Sequence, residues 1–185
     1  MKKYLQNYLF TLIILFSINI NSQTKCEFKY DSVDKFTKTR RQQTSWEMIK
    51  LPKSLSFTKE EGSLSISSVI LTDEEASLKY FWFKIDFMEH PFTLEKGCKI
   101  TLLFKNEKRI TLTKENKTEV CSVSKHSSGA YFKSLIMTNI QENEINEIIK
   151  NIVTDIRIEA SDHNIDFTIK SKKNKKFKET LNCLL

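Results

Sequence analysis

A thiol and an imidazole lie five positions apart in one polar segment of this 185-residue chain, at Cys121 and His126. A thiol nucleophile needs a base within hydrogen-bonding reach. On a strand, residues five positions apart face opposite sides and lie about 16 Å from each other, so only a tight loop could join them. We therefore interpret Cys121 as a structural cysteine followed by a polar loop, and we predict no catalytic residue from this pattern.

A metal site would need a different set of side chains. Asp162 and His163 are adjacent, and His90 and His126 are the other histidines of the chain. Polar turns commonly contain such residues, so a two-ligand turn is a weak signal, and we predict no metal site. The three glycines are widely separated, which excludes a phosphate-binding glycine loop. We accordingly expect no cofactor.

Three adjacent acids, Asp73, Glu74 and Glu75, could serve hydrolysis only if a further acid faced them across a cleft. Adjacent acids between two apolar segments are more typical of a solvated turn. The pattern therefore predicts a connection between two strands at this point.

Tyr80 and Trp82 are the strongest candidates for a binding surface. They share one face of a predicted strand whose other face is wholly apolar, so they could contact a sugar ring or an apolar segment of a partner. The alternative is that a second layer, such as a helix, covers this face and makes both residues part of the core. The sequence favours that core interpretation and leaves the binding interpretation open.

Four cysteines, an even number, indicate disulfides in an exported protein, with three possible connectivities. Cys26 and Cys183 lie near the two ends of the chain, which often approach each other in a domain. Cys98 and Cys121 lie in consecutive predicted strands. We therefore predict the pairs Cys26–Cys183 and Cys98–Cys121.

The amino-terminal residues have the pattern of an export signal. Two lysines precede an uncharged, largely apolar stretch from Tyr8 to Ile20, which is shorter than the roughly 20 residues of a spanning helix. We predict a signal peptide at residues 1–22 and one globular β-rich domain at residues 23–185. The protein is then periplasmic or secreted, and no transmembrane segment remains after cleavage.

The formal net charge of +7 comes mainly from lysine. Base recognition and bidentate phosphate contacts favour arginine, so we expect no nucleic-acid partner. Lys172, Lys173, Lys175 and Lys176 form the main basic cluster, which could contact an anionic surface weakly. A solvated loop is the more usual role of such a cluster.

Alternating apolar residues predict mostly strands. One hairpin spans residues 98–112, and the pattern places Phe104 opposite Ile110. A second runs from Val153 to Lys170, and its register places Arg157 opposite Asp166 as a cross-strand ion pair.

One helix is predicted at about residues 139–151, with Thr138 as its cap and Gln141 as the capping-box partner. A short second helix is predicted near the carboxyl terminus. Many strands with few helices indicate a mainly β, α+β fold, in which an antiparallel sheet or two-layer sandwich has helices packed at one side.

Several segments resemble those of small secreted proteins of Bacteroidota whose function is unknown. They are the signal peptide, the segment from Tyr30 to Thr37, the Thr44-Ser45-Trp46-Glu47 segment, and the closing segments at residues 155–159 and 165–167. The resemblance implies export and transfers no activity or site residue.

These observations favour an exported, non-catalytic domain that binds or scaffolds a protein or glycan of the cell envelope. One alternative is an envelope or secreted hydrolase whose site residues are dispersed along the chain. Another is an inhibitor or immunity-type protein that docks through a sheet edge.

Overall fold

The computed structural model describes residues 26–50, 62–88, 92–117, 119–126, 129–161 and 163–185. The predicted signal peptide lies outside these residues, as do His90 and Asp162.

The elements of the described chain are predominantly strands. In chain order the strands are β1 (Phe28–Val33), β2 (Arg40–Thr44), β3 (Glu47–Lys50), β4 (Gly62–Thr72), β5 (Ser77–Met88), β6 (Thr93–Leu94), β7 (Lys99–Phe104), β8 (Arg109–Thr113), β9 (Glu119–Val120), β10 (Ser122–His126), β11 (Gly129–Asn139), β12 (Val153–Glu159) and β13 (Asn164–Thr168). The α-helices are α1 (Glu142–Lys150) and α2 (Asn174–Asn182), and a 3-10 turn at Ser171–Lys173 leads into α2.

The larger sheet has the antiparallel strand order β1-β2-β4-β5-β11-β10, and β3 pairs with β4 beyond the end of β2. Alternation along β5 sends Phe81, Phe83 and Ile85 to the inner face, where all three are buried. Tyr80 and Trp82 point to the other side, which we call the outer face.

The smaller sheet has the order β13-β12-β7-β8 and contains both predicted hairpins, while β6 and β9 form a separate pair. The β12–β13 register is confirmed, because Arg157 lies opposite Asp166 and donates two hydrogen bonds of 2.8 and 2.7 Å to its carboxylate. The predicted β7–β8 register is wrong by two residues, since Leu102, not Phe104, lies opposite Ile110.

The turn between β7 and β8 explains this difference. The Phe104 N–H donates to the Lys108 carbonyl, and Glu107 adopts a positive φ of 65°. A three-residue turn, Lys105 to Glu107, that ends in the left-handed conformation therefore joins the strands, where the predicted pairing of Phe104 with Ile110 required five residues. The shift is even, so the apolar residues of both strands still share one face.

Helix α1 begins three residues later than predicted. Gln141 is its N-cap, and the Gln141 N–H donates to the Glu144 carboxylate over 2.8 Å. Thr138, the predicted cap, is instead a buried residue of β11 whose hydroxyl donates to the Phe81 carbonyl. The predicted short helix near the carboxyl terminus is confirmed as α2.

Buried residues of both sheets and both helices form one apolar cluster. At its centre the Phe81 ring meets those of Phe83 and Phe177 edge to face, with centroids 4.7 and 5.4 Å away. This arrangement confirms the predicted β-rich α+β fold with helices packed against an antiparallel sheet.

The two sheets are joined where β8 ends beside β11. Lys114 forms an isolated bridge with Thr138, and the Glu115 N–H donates to the Met137 carbonyl. The Asn116 side chain then continues the pairing, because its amide donates to the Leu135 carbonyl and accepts from the Met137 N–H. The Asn116 side chain thus makes the hydrogen bonds with β11 that the backbone of a strand residue would otherwise make.

Helix α2 is fastened to both sheets by polar contacts. Asn174 is buried, and its side chain both accepts from the N–H and donates to the carbonyl of Val153. The Ser68 hydroxyl donates to the Thr180 carbonyl over 2.5 Å. These bonds fix the first residue and the last turn of the helix against β12 and β4.

Candidate functional site

The outer face of the larger sheet contains the predicted binding pair. Trp82 lies between Ser67 of β4 and Met137 of β11. The serine is small, which leaves room above β4 for the indole of Trp82 to meet that of Trp46 at a centroid distance of 6.3 Å. Among the described residues, Trp46 and Arg41 of the neighbouring strands pack on Trp82.

Trp46 reaches this face because the pairing of the first strands with β4 is interrupted. The chain leaves β2 at Thr44 and pairs again from Glu47. Across the gap, the Thr44 hydroxyl accepts from the Ser68 N–H, and the Ser67 hydroxyl donates to the Thr44 carbonyl, each over 3.0 Å. These side-chain bonds replace the missing strand bonds while Trp46 turns outward.

Arg41 extends the stack of side chains. Its guanidinium carbon lies 4.9 Å from the centre of the Trp82 ring and 5.3 Å from that of Tyr30, distances typical of cation–π contacts. Tyr30, Arg41, Trp82 and Trp46 therefore form a continuous row, which we call the aromatic ladder.

The residues of the ladder that solvent can reach are not the same as those of the predicted site. Trp82 is only 8% exposed, whereas Tyr30 is 49% and Trp46 37% exposed. Trp82 is thus buried beneath the ladder's surface, and Tyr30 and Trp46 are the rings of the ladder that solvent can reach. Tyr80 lies on the same face and is half-buried. Sequence patterns missed Tyr30, Arg41 and Trp46, because an alternation within one strand does not show which strands become neighbours.

Polar atoms within and beside the ladder lack partners. Arg41 donates to the Gln43 side-chain oxygen over 2.6 Å through one terminal nitrogen. Its Nε, the Nε1 of Trp82 and the Oδ1 of Asp86 are buried and make no hydrogen bond within the described part of the chain. Buried polar atoms are nearly always paired in proteins, so the Arg41 Nε and the Trp82 Nε1 are two donors within the ladder that have capacity for a further partner; Asp86 lies four residues away along β5.

The cysteines confirm one predicted disulfide and correct the other. Cys26 and Cys183 are bonded, with their Cα atoms 5.3 Å apart. The predicted Cys98–Cys121 bond is wrong: both are free thiols. The backbone of Cys98 pairs with that of Lys114, whereas β9 pairs with β6 and brings Cys121 to Phe92, whose N–H donates to the thiol sulfur over 3.3 Å.

The other candidates for chemistry do not form a centre in the described residues. Cys121 is buried, and His126 is a residue of β10. No group of three or more metal-binding side chains occurs among the residues that the structure covers. The Asp73 carboxylate accepts the N–H groups of Ala76 and Glu75, which lowers its pKa and identifies it as a turn residue.

The lysine cluster near the carboxyl terminus is partly used inside the fold. Lys176 pairs with Glu47 over 2.6 Å, and Lys173 donates to the Met48 carbonyl over 2.9 Å. Lys175 lies 3.7 Å from Glu179 on the same helix, and Lys172 is exposed. Contact of these lysines with an anionic surface stays a prediction, and it would compete with the bonds that hold α2 to β3.

Two small clefts accompany the cysteines. One, of about 340 Å³, adjoins the disulfide and has Glu47 and Lys176 among its lining residues. The other, of about 330 Å³, is lined by residues that include Cys98, Glu95 and Glu159. Burial raises the pKa of the Cys98 thiol, and both acids raise it further, although Lys114 opposes them. This environment stabilises the thiol over the reactive thiolate.

We expect alkylation of Cys98 in the folded protein to be slower at neutral pH than in the unfolded chain. Its rate should continue to rise with pH beyond the point at which an unperturbed cysteine has ionised fully, since a raised pKa postpones thiolate formation. Cys121 should react only on unfolding. Timed alkylation followed by peptide mass spectrometry, with a denatured control, measures both. Equal Cys98 rates in folded and denatured samples would contradict this account.

No helix in the described residues is both long and apolar enough to cross a membrane. The disulfide is typical of proteins that fold in an oxidising compartment. Comparison of the chain with protein-family models, curated proteins and solved structures finds no match.

Proposed function

We propose that the chain is an exported, non-catalytic binding domain that recognises a glycan of the cell envelope or its surroundings through the aromatic ladder. The observation that supports this proposal most strongly is the row of accessible rings, Tyr30 and Trp46, held by Arg41 and the buried Trp82 between them. The disulfide and the amino-terminal pattern support export.

A sugar ring fits this set of groups by its chemistry. Its C–H faces can pack on an exposed indole or phenol, which offers an apolar surface with a polar edge. Its hydroxyls can exchange hydrogen bonds with the polar edges of the accessible rings, the Tyr30 hydroxyl and the Trp46 indole N–H. Recognition of this kind needs no general acid, base or nucleophile.

The test measures binding to a panel of soluble oligosaccharides by intrinsic tryptophan fluorescence and by calorimetry. We expect at least one sugar to bind, and Trp46→Ala to weaken that binding tenfold or more, equivalent to about 1.4 kcal/mol. Tyr30→Ser should weaken it as well. Val123→Ser removes an exposed apolar residue from β10 and should leave binding unchanged.

Two results would contradict the proposal. One is the absence of binding across the panel while an envelope protein binds with an affinity that Trp46→Ala reduces, which would assign the ladder to a protein partner. The other is sugar binding that neither Trp46→Ala nor Tyr30→Ser changes, which would place the ligand elsewhere.

A further inference from the structure

Two hairpin turns of opposite charge lie side by side at one end of the larger sheet. The turn between β1 and β2, residues 34–39, carries Lys35 and Lys38, and we call it the basic turn. The turn between β4 and β5, residues 73–76, carries acids, and we call it the acidic turn. Arg40 directly follows the basic turn, and it pairs with Thr72, which directly precedes the acidic turn. Both turns therefore project from the same end of the sheet.

The basic turn is held rigidly. The Asp34 carboxylate accepts the N–H groups of Phe36 and Thr37, each over 2.8 Å, and these bonds lower its pKa. The Asp34 backbone also bonds with Lys38 and Thr39, each over 2.9 Å. These bonds order the turn before any partner arrives, which reduces the entropy lost on binding.

Phe36 stands at the tip of this rigid turn and is 83% exposed. The Lys35 ammonium lies 4.8 Å from the centre of its ring. Val33 and Leu78 are also exposed at this end of the sheet. A large aromatic side chain held in solvent at the tip of an ordered turn is a candidate interface anchor.

The acidic turn carries more negative charge than its own backbone hydrogen bonds engage. The Asp73 carboxylate is engaged by the N–H groups of Glu75 and Ala76, whereas the side chains of Glu74 and Glu75 are exposed. Among the ion pairs between described residues, none joins these acids to Lys35 or Lys38. The two turns are separated by about 10 Å, two strand spacings, so their opposite charges are adjacent but unpaired.

We propose that this end of the sheet is the interface of a symmetric dimer, in which the basic turn of one copy meets the acidic turn of a second copy. A two-fold axis between the turns places each basic turn against the acidic turn of the other chain, and both contacts form at once. Phe36 of each copy then packs on the apolar part of the other copy's acidic turn, around Ala76 and Leu78.

The charge arrangement favours a second copy over an anionic membrane. A lipid surface that attracted Lys35 and Lys38 would repel Glu74 and Glu75, which project from the same edge. A second copy of the chain satisfies both turns with the same contact. Exposed ion pairs are screened by salt, so the dimer should dissociate as ionic strength rises.

Sedimentation velocity over a concentration series, on protein recovered after export, tests the proposal. Wild-type protein should show a monomer–dimer equilibrium, and Phe36→Ser should raise the dimer dissociation constant at least tenfold. The double variants Lys35→Glu/Lys38→Glu and Glu74→Lys/Glu75→Lys should each be monomeric, because each brings like charges together. Mixed in equal amounts, these two variants should form a heterodimer, since each then presents the charges that the other lacks.

The control is Lys105→Glu/Lys172→Glu, which changes net charge as Lys35→Glu/Lys38→Glu does, at exposed positions elsewhere, and should leave the dimer intact. Circular dichroism confirms that each variant is folded. A wild-type protein that stays monomeric up to millimolar concentration would overturn the proposal. Failure of the two charge variants to associate when mixed would overturn it as well, as would binding of the wild type to anionic vesicles through Phe36 without dimerisation.

Discussion

Replacing Cys183 with Ser should lower the free energy of unfolding by about 5 kcal/mol, because the Cys26–Cys183 bond closes a ring across a sequence separation of 157 residues. The bond removes loop-closure entropy from the unfolded chain, and that effect grows with the length of the ring. We expect the melting temperature to fall by roughly 10–20 °C. Chemical and thermal unfolding of the oxidised protein and the variant measure the difference.

The controls exploit the fact that both cysteines act through one bond. Cys26→Ser, Cys183→Ser and the double variant should lose nearly equal stability, and reduction of the wild-type protein should reproduce the loss. Cys98→Ala should have a much smaller effect, since that thiol is free and only half-buried. A loss below about 1 kcal/mol would show that the unfolded chain already keeps its ends together, contrary to the loop-closure account.

Phe81→Ala should be among the most damaging changes in the core, with a loss of about 3–5 kcal/mol. Phe81 is fully buried, and its ring contacts those of Phe83 and Phe177, so truncation leaves a cavity where β5 meets α2. Denaturant titration gives the free energy, and a slope unchanged from the wild type shows that the comparison is between similar unfolded states.

Phe36→Ala is the matched control, because it removes the same atoms from a ring that is almost fully exposed. Its effect on the stability of the monomer should stay within about 0.5 kcal/mol. A Phe81→Ala variant as stable as Phe36→Ala would mean that the inner face of β5 repacks without a cavity. The interaction of the sheet with α2 would then be less specific than the structure indicates.

The sequence predicted most of the elements, because their apolar periodicity is strong. The β12–β13 hairpin followed from Ile156, Ile158, Ile165 and Phe167, and its register placed Arg157 opposite Asp166 correctly. The β7–β8 hairpin was predicted with the right faces and the wrong register. Turn position depends on one residue, Glu107, whose left-handed conformation no apolar pattern reveals.

The candidate site was only partly predictable. Tyr80 and Trp82 were found from alternation within one strand, and the structure places both on the outer face. Arg41 and Trp46 lie far from them in sequence and reach Trp82 only because β2 and β3 pair with successive parts of β4. The Cys98–Cys121 prediction failed for a related reason, since it assumed that consecutive strands are neighbours.

The disulfide holds the two ends of the described chain, near Cys26 and Cys183, next to each other. With Cα atoms 5.3 Å apart, a short peptide linker from the carboxyl terminus to residue 26 would span the gap between the ends. Joining the ends through that linker without opening new termini would give a backbone-cyclised chain, in which a peptide linkage closes the ring instead of the disulfide. Such a chain would keep its ring constraint in a reducing cytoplasm, where the natural connection could not form.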